Sequence, residues 1–375
     1  MGGPSSAVRR LLQELFSRVG FGTLLITIGG AVALGMVPNI TEVVAGQRVI
    51  VFGGIFVLAV LVVFVGWWMR RDRGVGVVVW LMPGTGSPQR LREVIGHAQA
   101  RHGAWFAVRR DRLWPDEQRV PALSDRVEVA YWQVQDRLEG HEPGTASAAH
   151  VSLYVHARLP ETFGLGRRLA NDALGQLDVM HFSHRTGDPV AKVMELDSRL
   201  ARAADDADRA AVRQWLTAES LQAVPEPFDD VAADHRHRLM LIVSLTPNPN
   251  VVAAATQVAR TGEVMGPDGH TGYYFDANDP SAPGRPCGAR MVVETKGGHL
   301  RDEPGVYEPL VRHIIDRWRV GCRIRQQQIG GRPVEGLLVL SAPGPIALAL
   351  GKFIGQQLTL VAHSMELARG EEPML

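Results

Sequence analysis

The stretch Gly336–Ser364, GLLVLSAPGPIALALGKFIGQQLTLVAHS, constrains the fold more than any other. Leu337 to Leu340 is a short apolar run. Ser341-Ala342-Pro343-Gly344-Pro345 is a turn of small residues, and Ile346 to Ile354 carries helical apolar spacing. Gly355 can close that helix, and Leu358 to Ala362 reads as a second strand. An apolar strand buried on both faces that feeds a tight loop and a helix is the repeating unit of a doubly wound parallel sheet. In such sheets ligands bind beyond the carboxyl ends of the strands, where helix N-termini favour anions.

The same unit occurs earlier. Val151–Ser183, VSLYVHARLPETFGLGRRLANDALGQLDVMHFS, again reads strand, Pro-containing loop, helix, strand. Pro160 falls opposite Pro345, Gly166 opposite Gly351, and the ending LDVMHFS opposite LTLVAHS. A second pair of echoes precedes these: Val77 to Gln99 matches Leu241 to Gln257, with Pro83 opposite Pro247. Two matched pairs in the same order indicate an internal duplication. Pro225 to Asp234, with two prolines and four acids, reads as the linker between a first half over 74–224 and a second over 235–375.

Ahead of the halves, residues 1–73 read as a membrane anchor. Segments 20–38 and 49–69 hold no ionisable residue, and each is long enough to cross about 30 Å of hydrocarbon. Arg9, Arg10 and Arg18 precede the first and Arg70, Arg71 and Arg73 follow the second, with only Arg48 between them. The positive-inside bias therefore predicts a multi-pass inner-membrane protein with both termini cytoplasmic. Trp67 and Trp68 would anchor the inner boundary. Gly22, Gly29, Gly30, Gly35, Gly53, Gly54 and Gly66 allow close helix approach, within one hairpin or between chains.

In the first half, strands are expected over Gly74–Met82 and Trp105–Val108, with helices over Pro88–His102 and Ser124–Leu138. Val190 to Leu216, polar and alternately charged, reads as a solvated bridging helix. In the second half, strands are expected over Leu239–Leu245 and Met291–Thr295, and helices over Asn248–Arg260 and Val306–Arg319. Gly266 to Gly288 reads as an exposed irregular loop.

The chain of 375 residues has a formal net charge of +1, so no overall basic field points to duplex nucleic acid. Cys287 and Cys322 are the two cysteines, which supports neither a disulfide framework nor a cysteine zinc site. There is no Walker loop or Gly-x-Ser-x-Gly elbow, and Gly164-Leu165-Gly166 lacks the spacing of a dinucleotide fingerprint. No cofactor or metal is expected. One catalytic pattern stands out: Asp279, Glu294 and Lys296 follow the Asp…Glu-x-Lys spacing of metal-dependent nucleases, in which two carboxylates hold Mg²⁺ and the lysine steadies the attacking water. The alternatives for Lys296 are a point charge for a ligand phosphate and a solvated strand-end lysine.

The chain from about Val75 onwards resembles the SAVED domain, the sensor of bacterial cyclic-oligonucleotide (CBASS) anti-phage systems. The resemblance is carried by Leu337 to Ser364, above all Ser341-Ala342-Pro343-Gly344-Pro345-Ile346-Ala347-Leu348-Ala349-Leu350-Gly351. SAVED domains are two fused Rossmann-like (CARF-like) halves, and two spans ahead of one look like the membrane-effector (2TM-SAVED) subclass. The resemblance implies an α/β fold, two transmembrane helices followed by this pseudo-duplicated domain, and a receptor rather than an enzyme. It implies a cyclic di- or trinucleotide ligand made by a CD-NTase-type nucleotidyltransferase. It also implies a ligand-induced homo-oligomer and disruption of the lipid bilayer in abortive defence. The implied ligand-binding residues are Gly84, Thr85, Ser87, Arg158 and Thr162 in the first half. In the second they are Thr246, Asn248, Lys296, Ser341, Ala342, Pro343 and Gly344.

Overall fold

A computed structural model describes residues 25–31, 56–65, 74–82, 88–116, 120–139, 150–170, 176–182, 189–248, 250–263, 272–275, 283–297 and 300–363. The chain divides into two compact units, Met1–Asp72 and Arg73–Leu375.

In the first unit the described residues form two helical segments, 25–31 and 56–65. A Cβ on Gly29 would lie 2.8 Å from a Val63 methyl and 3.0 Å from the Ala59 carbonyl oxygen, so this glycine lets the two segments meet closely. Among the described residues, no helix is long and apolar enough to cross a membrane. The multi-pass inner-membrane placement expected from the sequence is corrected accordingly. Trp67, Trp68 and the remainder of both expected spans lie outside the described residues.

The second unit is mixed α/β and holds two parallel-rich sheets. The first is built from β1 (Val75–Trp80), β2 (Ala104–Arg109), β3 (His150–His156), β4 (Gln176–Phe182) and β5 (Val190–Glu195), in the order β2-β1-β3-β4-β5. The second uses β6 (Glu226–Pro227), β7 (Arg238–Ser244), β8 (Tyr273–Tyr274), β9 (Ala289–Glu294), β10 (Glu335–Ser341) and β11 (Leu358–His363), in the order β6-β9-β7-β10-β11-β8. In each sheet four strands run parallel, β2-β1-β3-β4 and β9-β7-β10-β11. The edge additions β5, β6 and β8 are antiparallel.

Helices follow the same plan in both halves. The first carries α1 (Pro88–Arg101), α2 (Leu123–Glu139) and α3 (Leu159–Leu169), followed by α4 (Asp206–Arg213). The second carries α5 (Val251–Thr261), α6 (Pro304–Gln328) and α7 (Gly344–Ile354). Strand residues alternate between faces, as a pleated strand requires. Val75, Val77 and Val79 of β1 and Leu239, Leu241 and Val243 of β7 point into one shared core with residues of α2, α3, α6 and α7. Val78 and Trp80 pack on Val94 and Ala98 of α1, and Met240 and Ile242 on Ala255 and Ala259 of α5, in two outer clusters. Each sheet is therefore covered on both faces, which is why its central strands read as unbroken apolar runs.

The two halves join through α3 and α7. A Cβ on Gly166 would collide with the carbonyl oxygen of Leu348 and lie 3.0 Å from the backbone nitrogen of Lys352. A Cβ on Gly351 would collide with the carbonyl oxygen of Phe163 and lie 3.0 Å from the backbone nitrogen of Arg167. Each glycine thus meets the residues three before and one after its counterpart, a reciprocal contact of a local two-fold. The joint is closed further by Lys352 Nζ, which donates to the Leu169 carbonyl at 2.8 Å.

Three stretches depart from the expected local structure. Val190–Leu216 is not one helix but β5, a 3₁₀ turn over Ser198–Ala201, and α4. Lys192 points to buried Asp178 on β4 at 2.6 Å instead of into solvent. The expected linker contains β6, which covers the free edge of β9 and is pinned by Arg290 to Glu226 at 2.7 Å. The expected irregular loop contributes β8, two residues that cover the edge of β11.

Candidate functional site

Strand order reverses between β7 and β10 in the second sheet: β7 leads through α5 to β9 on one side, and β10 leads through α7 to β11 on the other. A crevice opens at such a switch point, beyond the strand carboxyl ends. Here it is a cleft of about 270 Å³ lined by Asn248, Asn250, Tyr273, Ser341, His363 and apolar residues that include Val251 and Val361. Thr246 at the end of β7 and Ser341 at the end of β10 are hydrogen-bonded through their hydroxyls across the switch point. Tyr273, carried in by β8, meets the His363 ring edge-on with centroids 5.1 Å apart. Burial lowers the pKa of His363, so the imidazole is neutral at pH 7. Among the described lining residues none is Lys, Arg, Asp or Glu.

Pro345 has no N–H, and the N–H groups of Ile346 and Ala347 both donate to the Pro343 carbonyl, at 3.0 and 3.2 Å. Asn250 stands at the N-cap of α5 but makes no side-chain capping bond. Asn248 Oδ1 accepts from the Asn250 N–H at 3.3 Å.

At the corresponding strand ends of the first sheet, the described residues include a cluster of rings. Trp80 and His156 stack at 4.1 Å between centroids, and His156 meets Phe182 edge-on at 6.0 Å. The Arg90 guanidinium lies 5.7 Å from the Phe182 ring centre. The void beside these rings is about 10 Å³, room for one water at most. Burial, with Arg90 and His181 nearby, holds the His156 pKa down to about 4. At the start of α3 the protein supplies its own anion: Glu161, 1% exposed, pairs with Arg126 at 2.9 Å and accepts from the Arg158 N–H at 3.2 Å. Burial raises the Glu161 pKa despite the opposing pull of Arg126.

The residues anticipated from the sequence divide accordingly. Thr246, Asn248 and Ser341 come together in the second-half cleft, with Gly344 starting α7 beside it. Pro343 precedes that helix in extended backbone, and Ala342 is turned into the shared core. Thr162 is buried, with its hydroxyl directed to the Ala157 carbonyl, and Arg158 caps α3. Gly84, Thr85 and Ser87 lie outside the described residues. Lys296 Nζ donates to the Arg213 carbonyl at 2.7 Å, where a cation complements the C-terminus of α4. Glu294 is held through its backbone by the Ser220 hydroxyl, and Asp279 lies outside the described residues. Among the described residues no group of three or more His, Cys, Asp or Glu could hold a metal ion. Asn250, Tyr273 and His363 went unnamed at the level of sequence. The LVAHS ending placed His363 at a strand end, the one signal available for it.

Fold and cleft together define a duplicated α/β protein with an open crevice at the switch point of its second sheet. Among solved structures the chain is similar to the Acinetobacter baumannii Cap4 SAVED/CARF-domain containing receptor, in structures with the cyclic trinucleotides 2′3′3′-cAAA and 3′3′3′-cAAA. Each likeness has 10% sequence identity and a TM-score of 0.39, covering 82% of this chain and 52% of that one. The chain thus spans about half the length of those receptors. No family model matches, and no curated protein matches.

Proposed function

We propose that this chain is a SAVED-type sensor that binds a cyclic di- or trinucleotide second messenger and responds by assembling into a homo-oligomer. The observation that carries the reading is the open cleft at the switch point between β7 and β10, set in a duplicated parallel-sheet scaffold. A ligand seated over the strand ends would touch α5, β10 and β11, and β10 leads directly into α7, which is locked to α3 of the first half. Binding in one half is therefore felt by the other, which gives a ligand a means of favouring one state of association. The ligand would come from a CD-NTase-type nucleotidyltransferase, and the role is recognition in anti-phage defence rather than catalysis. Calorimetric titration of the full chain with a panel of cyclic di- and trinucleotides tests the reading, with sedimentation of the same samples. Binding of at least one ring with a rise in mass is expected. A flat trace with every ring overturns the sensor, and binding without a change in mass overturns the assembly step.

A further inference from the structure

We propose that His97, His102 and Tyr154 form a binding site for one divalent metal ion of the zinc class, which fastens α1 to β3 on the outer face of the first sheet. The proposal is independent of the sensing function above.

Three donor atoms converge there. His97 Nδ1 lies 3.0 Å and His102 Nε2 2.9 Å from the Tyr154 hydroxyl oxygen, and both imidazoles meet the phenol ring edge-on. Ligand atoms ~2.0–2.1 Å from one zinc ion lie roughly 3 Å apart, so this spacing suits a shared ion as well as it suits hydrogen bonds. Imidazole is a ligand of zinc, copper, iron and nickel alike. Backbone structure assembles the set from two elements. His97 stands near the end of α1, the His102 N–H donates to the Ala98 carbonyl at 3.0 Å just past that end, and the β1–β3 pairing brings Tyr154 alongside. The negative end of the helix dipole favours a cation at this point. Because the third donor is a tyrosine, the set falls outside the combinations of His, Cys, Asp and Glu considered above.

A second observation points the same way. Ser152, 1% exposed, has no hydrogen-bond partner for its hydroxyl among the described residues. It lies two residues before Tyr154 on β3, on the same face of the sheet. Across from it on β1 stands Gly76, where an added Cβ would lie 2.6 Å from His102 Cδ2, so the His102 ring occupies the space beside Ser152. On the other side Asp178 is committed to His150 at 2.9 Å and to Lys192 at 2.6 Å. A buried hydroxyl is costly to leave unpaired. An ion held by His97, His102 and Tyr154 carries a water in its fourth position, and that water gives Ser152 its partner. The anchor also has a use, since α1 buries only Val94 and Ala98 against the sheet and its apolar packing is thin.

The test is calorimetric titration of the untagged full chain with Zn²⁺ after treatment with a chelator, alongside ultraviolet difference spectra and melting curves. One Zn²⁺ per chain should bind, with the tyrosinate signal that appears when the ion displaces the phenol proton to solvent. The melting point should rise with Zn²⁺ concentration. His97→Gln and His102→Gln should each weaken binding by at least ~10- to 100-fold, the loss that removal of a mere supporting partner already causes. Tyr154→Phe, which keeps the buried ring, should lose the tyrosinate signal and the Zn²⁺-dependent rise in melting point. His97 is half-buried, so its variant reads the site even where His102→Gln fails to fold. Absence of stoichiometric Zn²⁺ binding, binding without the tyrosinate signal, or binding unchanged in His97→Gln and Tyr154→Phe overturns the metal site and leaves these residues a hydrogen-bonded cluster.

Discussion

The joint between the halves makes a quantitative prediction about two glycines. In Gly166→Ala the new methyl would overlap the Leu348 carbonyl oxygen and lie 2.9 Å from its carbon. In Gly351→Ala it would overlap the Phe163 carbonyl oxygen and lie 3.0 Å from its carbon. Both obstacles are backbone, so no side chain can swing aside, and α3 and α7 must part until these contacts reach 3.4–4 Å. Overpacking of a closed core costs about 1–3 kcal/mol, and an immovable neighbour puts the cost near ~3 kcal/mol. Replacing glycine by alanine in a helix returns about 1 kcal/mol. The net for each variant is about 2 kcal/mol of destabilisation, or a melting point lower by roughly 4–8 °C. The double variant should cost less than the sum, because helices already parted by one methyl admit the second. Gly96→Ala in α1 is the control: nothing lies within 4 Å of the added carbon, so that variant should gain about 0.4–1 kcal/mol. Thermal and urea unfolding of the full chain reads all four. Single variants at Gly166 and Gly351 as stable as Gly96→Ala would refute the close reciprocal joint.

Two further outcomes follow from charged groups. His156 has a folded pKa of about 4, below the ordinary 6.5, so the unfolded chain takes up this proton first as the solution is acidified. Its contribution to stability is complete above pH 6.5 and is withdrawn between 6.5 and about 4. His156→Phe, which keeps an aromatic ring at the tip, should therefore lose less stability than the wild type between pH 7 and 4. Parallel melting-point curves for the two would contradict this. Lys296→Ala removes a cation from the C-terminus of α4 and should cost about 0.3–1 kcal/mol. Neither wild type nor this variant should cleave DNA in the presence of Mg²⁺; cleavage by the wild type that the variant lacks would restore the nuclease alternative.

Much of the scaffold was legible because parallel strands buried on both faces leave unbroken apolar runs. VGVVVW, RLMLIVS and EGLLVLS all lie in strands, and the Pro-led helix after β10 starts two residues before its expected position. What stayed illegible depended on distant partners. Val190–Glu195 carries Lys192 and Glu195 and looks like a solvated helical face. The acid that decides its fate is Asp178, buried on β4 and bridged by both Lys192 and His150. Helix α6 runs on to Gln328 because Arg325 reaches the carbonyls of Arg236 and Gly288, contacts no local window can contain. In the site, Thr246, Asn248 and Ser341 could be named from their places after strands. Tyr273 could not, since only the pairing of β8 with β11 brings it to the cleft.

The repeat is more faithful at the joint than at the tips, and physical chemistry accounts for the difference. At the joint, any side chain larger than hydrogen on either glycine drives two backbones apart, so both halves need the same residue in the same helical register. At the tips nothing enforces symmetry. The position of His156 at the end of β3 is held by Ser341 at the end of β10, and Glu161 in the first turn of α3 corresponds to Ile346 in α7. One pair of changes replaces a ring with a small hydroxyl and opens space. The other replaces an internal anion with an apolar anchor, so the second helix start carries neither a built-in carboxylate nor a cation to demand one. Because α3 and α7 touch through backbone, any shift of α7 would be carried into the first half as a rigid displacement and not absorbed by side chains.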